Sequence, residues 1–173
     1  MPLNRSKKIA FLGLFAAVAI VLSILENTLT GMMNFAIPGV KPGLSNLAVV
    51  LALAFLGGGY GFVVALIKAT ASFLATGAVT VLWFSLAGSL LSMGGMWLVW
   101  KLCRKTFTWA GISALGGLLS NIGQVLVMMA LSETVEFLYY LPFLAISGVF
   151  FGFVVGVLAN LILARMSKIK GLY

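Results

Sequence analysis

Hydrophobic positions fill this chain in long blocks, and polar positions are confined to short stretches between them. A bilayer-spanning helix needs about 20 predominantly apolar residues, and on that rule the blocks predict six helices. They run over about 8–26, 43–57, 60–77, 81–100, 109–131 and 139–164, and the second is short. The cluster "GGGYG", Gly57 to Gly61, is expected to be the turn between the second and third helices. The break between the third and fourth, near "ATGAVTV", is the least sharply marked. Ahead of the second helix stands "PGVKPGLSNL", in which Pro38, Gly39, Pro42 and Gly43 break the flanking helices and hold Lys41 between them.

Composition then sets the class. Of 173 residues, 62% are hydrophobic and only 8% charged, and the mean hydropathy is +1.19. The expectation is an all-α integral membrane protein, a six-transmembrane-helix bundle forming one membrane domain over residues 1–173. The first block has a basic start but no convincing small-x-small cleavage site before a mature domain, so it reads as a retained helix.

Charge supplies the orientation. The basic residues fall in three clusters: Arg5, Lys7 and Lys8; Lys101, Arg104 and Lys105; Arg165, Lys168 and Lys170. Cytoplasmic loops carry excess Lys and Arg. Six spans put all three clusters on one side, with both termini cytoplasmic. The net charge of +8 is thereby explained as membrane orientation, and nucleic acid is a poor fit to charges so scattered. The connection bearing Lys41, and Glu133 and Glu136 in "SETVEF", then lie on the outer side.

Several chemistries are excluded. Cys103 is the sole cysteine, so no intrachain disulfide can form. There is no histidine and no aspartate, and the acids are Glu26, Glu133 and Glu136. A metal site built from His, Cys and Asp is therefore not expected, nor a Ser/His/Asp arrangement. No G-x-x-x-x-G-K-[ST] loop is present, and no cofactor is implied. Catalysis by this chain alone is not expected.

The polar residues inside the blocks carry what chemistry there is. Lys68 falls near the middle of the third helix, where a cation costs several kcal/mol unless it faces a cavity or a partner. It is either ligand-facing or paired with Glu26. Ser72, at i+4, extends a polar face. Asn121 and Gln124 share a face of the fifth helix with Gly117, either bridging helices or lining a pocket. Asn46 either starts the second helix as a cap or joins the same set. Small residues recur at four-residue spacing: Gly13 and Ala17, with Ala16 beside them, and Gly148, Gly152 and Gly156. Such faces let helices pack closely in lipid, or against a partner protein.

The stretches "PGVKPGLSNLAVVLALAFLGGGYGFVVALIKATASFL", "FSLAGSLLSMGGMW" and "SNIGQVLV" resemble the Gx transporter family, often labelled heptaprenyl diphosphate synthase component I. That family looks like the S components of energy-coupling-factor (ECF) importers. The resemblance covers about residues 8–165. It implies six helices in a prokaryotic plasma membrane, both termini inside, and a small nutrient bound near the outer face. It also implies partners: a transmembrane scaffold and two cytosolic ATPases, reached through small residues that would here be Gly13, Ala16 and Ala17. The family pattern usually has arginine where this chain has Lys68, and histidine where it has Ser120. Charge is kept at the first position and bidentate geometry is lost.

Two functions follow as expectations. The first is a substrate-binding S component capturing a small anionic or amphipathic metabolite through Lys41, Asn46, Lys68, Ser72, Asn121, Gln124 and Glu26. The second is a membrane accessory subunit of polyprenyl diphosphate or quinone biosynthesis.

Overall fold

The computed structural model describes residues 4–32, 43–103 and 106–166. They form six α-helices: α1 (Arg5–Met32), α2 (Asn46–Leu56), α3 (Gly58–Thr76), α4 (Val79–Cys103), α5 (Trp109–Ser132) and α6 (Leu141–Met166). A 3-10 turn, Glu136–Tyr140, leads into α6. Apart from α2, each helix is long and apolar enough to cross a membrane, and the chain is a multi-pass membrane protein. Lys41, together with Pro38, Gly39 and Pro42, lies outside the described residues.

The helices stand side by side in the order α1, α3, α4, α5, α6, with α5 and α6 forming the most extensive pair. α2 sits among them, touching α1, α3, α5 and α6. Its sequence, NLAVVLALAFL, is apolar on every side because every side meets protein. Ala48, Val50, Ala52 and Leu53 are fully buried, and Val49 and Leu51 nearly so. At a rise of about 1.5 Å per residue, the 11 residues of α2 cover roughly half of a 30 Å hydrocarbon core. α2 is therefore a half-length helix. Below, the end of the bundle holding the α2–α3 and α4–α5 connections is the lower end, and the opposite end is the upper.

The expected turn "GGGYG" is corrected. The break is Gly57 alone, with φ 95°, a conformation that favours glycine. The next glycines already belong to α3. Two of them, Gly58 and Gly61, serve close packing: a Cβ on Gly61 would fall 2.5 Å from Met93 Cε, and one on Gly58 would run into the Trp97 indole, whereas Gly59 has open space around it. α3 and α4 can therefore approach closely at the lower end. There Phe62 and Trp97 pack edge to face, and the Lys101 ammonium lies 5.1 Å from the Trp97 ring centre. At the upper end α3 stops at Gly77, a left-handed residue (φ 68°) whose N–H bonds Phe73 O at 2.8 Å.

The α5–α6 seam is built from small residues, the stripe of Gly148, Gly152 and Gly156 meeting Ala110, Ser113 and Gly117. A Cβ on Gly152 would sit 2.5 Å from Ser113 O, and one on Gly156 2.5 Å from Ala110 Cα. Backbone contacts of this kind cannot be relieved by a side-chain shift. Gly152→Leu is expected to force α5 and α6 apart and cost at least about 1–3 kcal/mol, the usual penalty for overpacking. Thermal unfolding in detergent should show a lower midpoint. Gly13→Leu is the control, because no atom lies within 4 Å of a Cβ added there and its midpoint should hold.

Candidate functional site

Because α2 begins at half height, the upper half of the bundle is left with a hollow above its first turn. Helix lengths decide which side chains meet there. Asn46 and Lys68 each lie eleven positions from Gly57, on opposite sides of it. Two helices leaving one turn and rising equally per residue bring those positions level. The Lys68 ammonium donates to Asn46 Oδ1 at 2.6 Å, and both residues are buried.

The hollow is a cavity of about 40 Å³. Its wall takes Glu26 and Asn27 from α1, Lys68 and Ser72 from α3, and Ser85 and Ser89 from α4. α5 contributes Gly117, Ser120, Asn121 and Gln124, and α6 contributes Gly148, Phe151 and Gly152. Gly43, Ser45 and Asn46 close it at the start of α2. The positive end of the α2 dipole thus faces the same space as the Lys68 cation, and both favour a negative group.

Several of these polar groups have a structural hold. The Glu26 carboxylate accepts from Gly43 N (2.5 Å), Ser45 Oγ (2.6 Å) and, at longer range, Ser45 N (3.4 Å). It satisfies backbone that descends into the bundle ahead of α2. The Ser23 and Ser72 hydroxyls bond each other at 2.7 Å, tying α1 to α3. Asn121 Nδ2 donates to Leu144 O at 2.6 Å across to α6, and Ser147 Oγ shares that carbonyl at 2.9 Å. Asn121 thus bridges helices and lines the cavity at once. Gln124 Nε2 reaches Ser120 Oγ at 3.4 Å.

Six of the residues picked from the sequence, Glu26, Asn46, Lys68, Ser72, Asn121 and Gln124, line this one cavity. Lys41 lies outside the described residues. Sequence reasoning missed Ser45, Ser85, Ser89 and Ser120 as lining residues. A signal existed for two of them, since Ser85 and Ser89 are spaced i, i+4 in a largely apolar helix. On α1, far from the cavity, Gly13 and Ala17 are exposed on the bundle surface and Ala16 is partly covered.

A sequence model of a known family, heptaprenyl diphosphate synthase component I, matches residues 15–162. The chain belongs to that family. The matched region spans from α1 to near the end of α6 and takes in every residue lining the cavity. No match was found among curated proteins or solved structures.

The Glu26 bonds yield a stability prediction. Glu26→Gln replaces one acceptor oxygen by a donor, leaving Gly43 N or the Ser45 hydroxyl without its partner. A buried unmet donor costs about 1–3 kcal/mol, so the variant should unfold at a lower temperature in detergent. Ser45→Ala, which removes one bond and leaves the carboxylate its backbone donors, should cost less.

Proposed function

We propose that the chain is a ligand-capturing membrane subunit, the substrate-binding component of an importer driven by a separate ATPase module. The observation that carries this reading is Lys68. It is a cation buried in the bundle, 2.6 Å from Asn46 Oδ1, in a cavity that also holds amides and hydroxyls from five helices. Intramembrane cations of this kind mark ligand or ion pathways. In this reading the ligand is a small anionic or amphipathic metabolite, held by Lys68, Asn46, Ser72, Asn121 and Gln124, with Lys41 as a second cation for it. The chain itself carries out no reaction.

The topology belongs to the same reading. Both termini and the three basic clusters lie in the cytoplasm of a prokaryotic cell, α2 with its adjoining connection completes six crossings, and the cavity opens outward. Energy comes from partners, a transmembrane scaffold with two cytosolic ATPases. Their docking face on α1 is Gly13, Ala16 and Ala17, where Gly13 and Ala17 leave the surface open and a facing helix can come close.

The family's description favours a second reading, an accessory membrane subunit of heptaprenyl diphosphate synthesis. The two differ in partners. Purified from native membranes, the chain should bring down a membrane scaffold with paired ATPases, and Gly13→Leu with Ala17→Leu should abolish that recovery while leaving the bundle folded. Recovery of a soluble prenyl synthase without ATPases would establish the second reading instead. Small molecules carried through gentle purification, identified by mass spectrometry, should be reduced at least tenfold in Lys68→Met. An unchanged yield would remove Lys68 from the site.

A further inference from the structure

A second cavity, of about 70 Å³, lies at the upper end between α5, the 3-10 turn and α6. It is lined by Val125 and Met128 of α5, Phe137 and Tyr140 of the turn, and Leu144 of α6. We propose that it receives the short branched apolar tail of a monoanionic ligand whose charged head lies in the Lys68 cavity. This rests on the reading of the chain as a ligand-capturing subunit and adds the ligand's chemical class.

The two cavities share a wall. Asn121 lines the polar one and Val125, one helical turn further on the same face, the apolar one. Leu144 faces the apolar cavity with its side chain, while its carbonyl accepts from Asn121 on the polar side. Phe151 lines the polar cavity and packs against Val125 and Leu144. Positions four apart on one helix face are about 5–6 Å apart, a distance that about four bonds, from a carboxylate oxygen to a terminal methyl, and a small shift of Phe151 or Leu144 would span.

Size and charge narrow the class. An apolar cavity of about 150 Å³ accepts benzene, so 70 Å³ takes a tail of about three carbons. The polar cavity, at 40 Å³, takes a small head such as a carboxylate. Lys68 is the one cationic side chain lining it among the described residues, and Glu26 stands in the same wall. One lining cation can compensate one negative charge and no more, so a monoanion is the most the wall supports. A diphosphate would bring further charges that no lining residue among those described compensates and that Glu26 repels.

The test uses the full chain in lipid nanodiscs and three probes: 3-methylbutanoate, 3-methylbutan-1-ol and acetate, with binding followed by calorimetry. Each buried methylene is worth roughly a fourfold gain, so 3-methylbutanoate should bind on the order of 50-fold more tightly than acetate. It should also exceed the alcohol by at least tenfold. Met128→Trp, which fills the apolar cavity, should bring the acid to within a few-fold of acetate while keeping the preference for acid over alcohol. Lys68→Met should do the reverse. Val125→Ala, which enlarges the cavity without adding bulk, should shift the preference toward 4-methylpentanoate and serves if the tryptophan variant fails to fold. Three results overturn the proposal: no binding of 3-methylbutanoate by the unsubstituted chain, a tail preference indifferent to both cavity variants, or unchanged affinity in Met128→Trp with loss of retained phospholipid. The last would assign the cavity to a bilayer acyl chain. Failure here alongside recovery of the scaffold and ATPases removes this ligand class and leaves the importer reading standing. Failure of that recovery strikes the importer reading instead.

Discussion

The length of one helix sets most of this structure. α2 has eleven residues, too few to cross a bilayer at about 1.5 Å per residue. The chain must therefore enter the bundle at mid-height without helical hydrogen bonds. In a membrane, backbone groups exposed that way have no water to bond, and irregular backbone is tolerated there only where protein or a cavity satisfies it. Glu26 meets this requirement by accepting from Gly43 N and Ser45. The same shortness leaves the space that Lys68, Asn46 and the serines face. The buried acid, the buried cation and the cavity are three consequences of one truncated helix.

A hollow inside a bundle collapses unless its walls are held. Here α5 and α6 meet through glycines so close that their backbones touch, leaving no room for sliding. α1 is held to α3 by the Ser23–Ser72 bond and to the start of α2 by Glu26. Without a hydrophobic drive between helices in lipid, close backbone packing and a few interhelical hydrogen bonds carry the association. The glycines of the seam thus have two effects: Gly117, Gly148 and Gly152 pack α5 on α6 and also form part of the cavity wall, where side chains would fill it.

The helices were legible because an apolar block bounded by polar residues has few other readings. Lys68 was legible for a similar reason: a lone cation in such a block must have something to face. Asn46 was a candidate as well, but its pairing with Lys68 followed only once Gly57 was known to be the whole turn, since equal spacing from it makes the two residues level. What the sequence concealed was the meaning of its small residues. In "GGGYG" a turn glycine, two packing glycines and an exposed one look alike, and only contacts with Trp97 and Met93, some thirty to forty residues away, separate them. Ser120 was hidden, and the Ser85–Ser89 spacing was a weak signal, because a helical serine can satisfy itself against its own backbone and so appears at many positions without consequence.

That ambiguity of serine also explains why a cavity of this kind is built largely from hydroxyls and amides around a single cation. A binding site in a bilayer must be stable both empty and filled. Charged walls would be costly when empty, and apolar walls would offer an anion nothing. The groups seen here hold one another: Ser23 with Ser72, Gln124 with Ser120, Lys68 with Asn46. Each bond can be exchanged for one to a ligand at small net cost, since protein–ligand hydrogen bonds replace protein–protein ones of similar strength. Affinity must then come from the terms that do not cancel, the Lys68 charge and whatever apolar surface the ligand buries. Under the proposed reading, a site balanced in this way would capture its ligand without holding it irreversibly, as a subunit that passes its cargo onward requires.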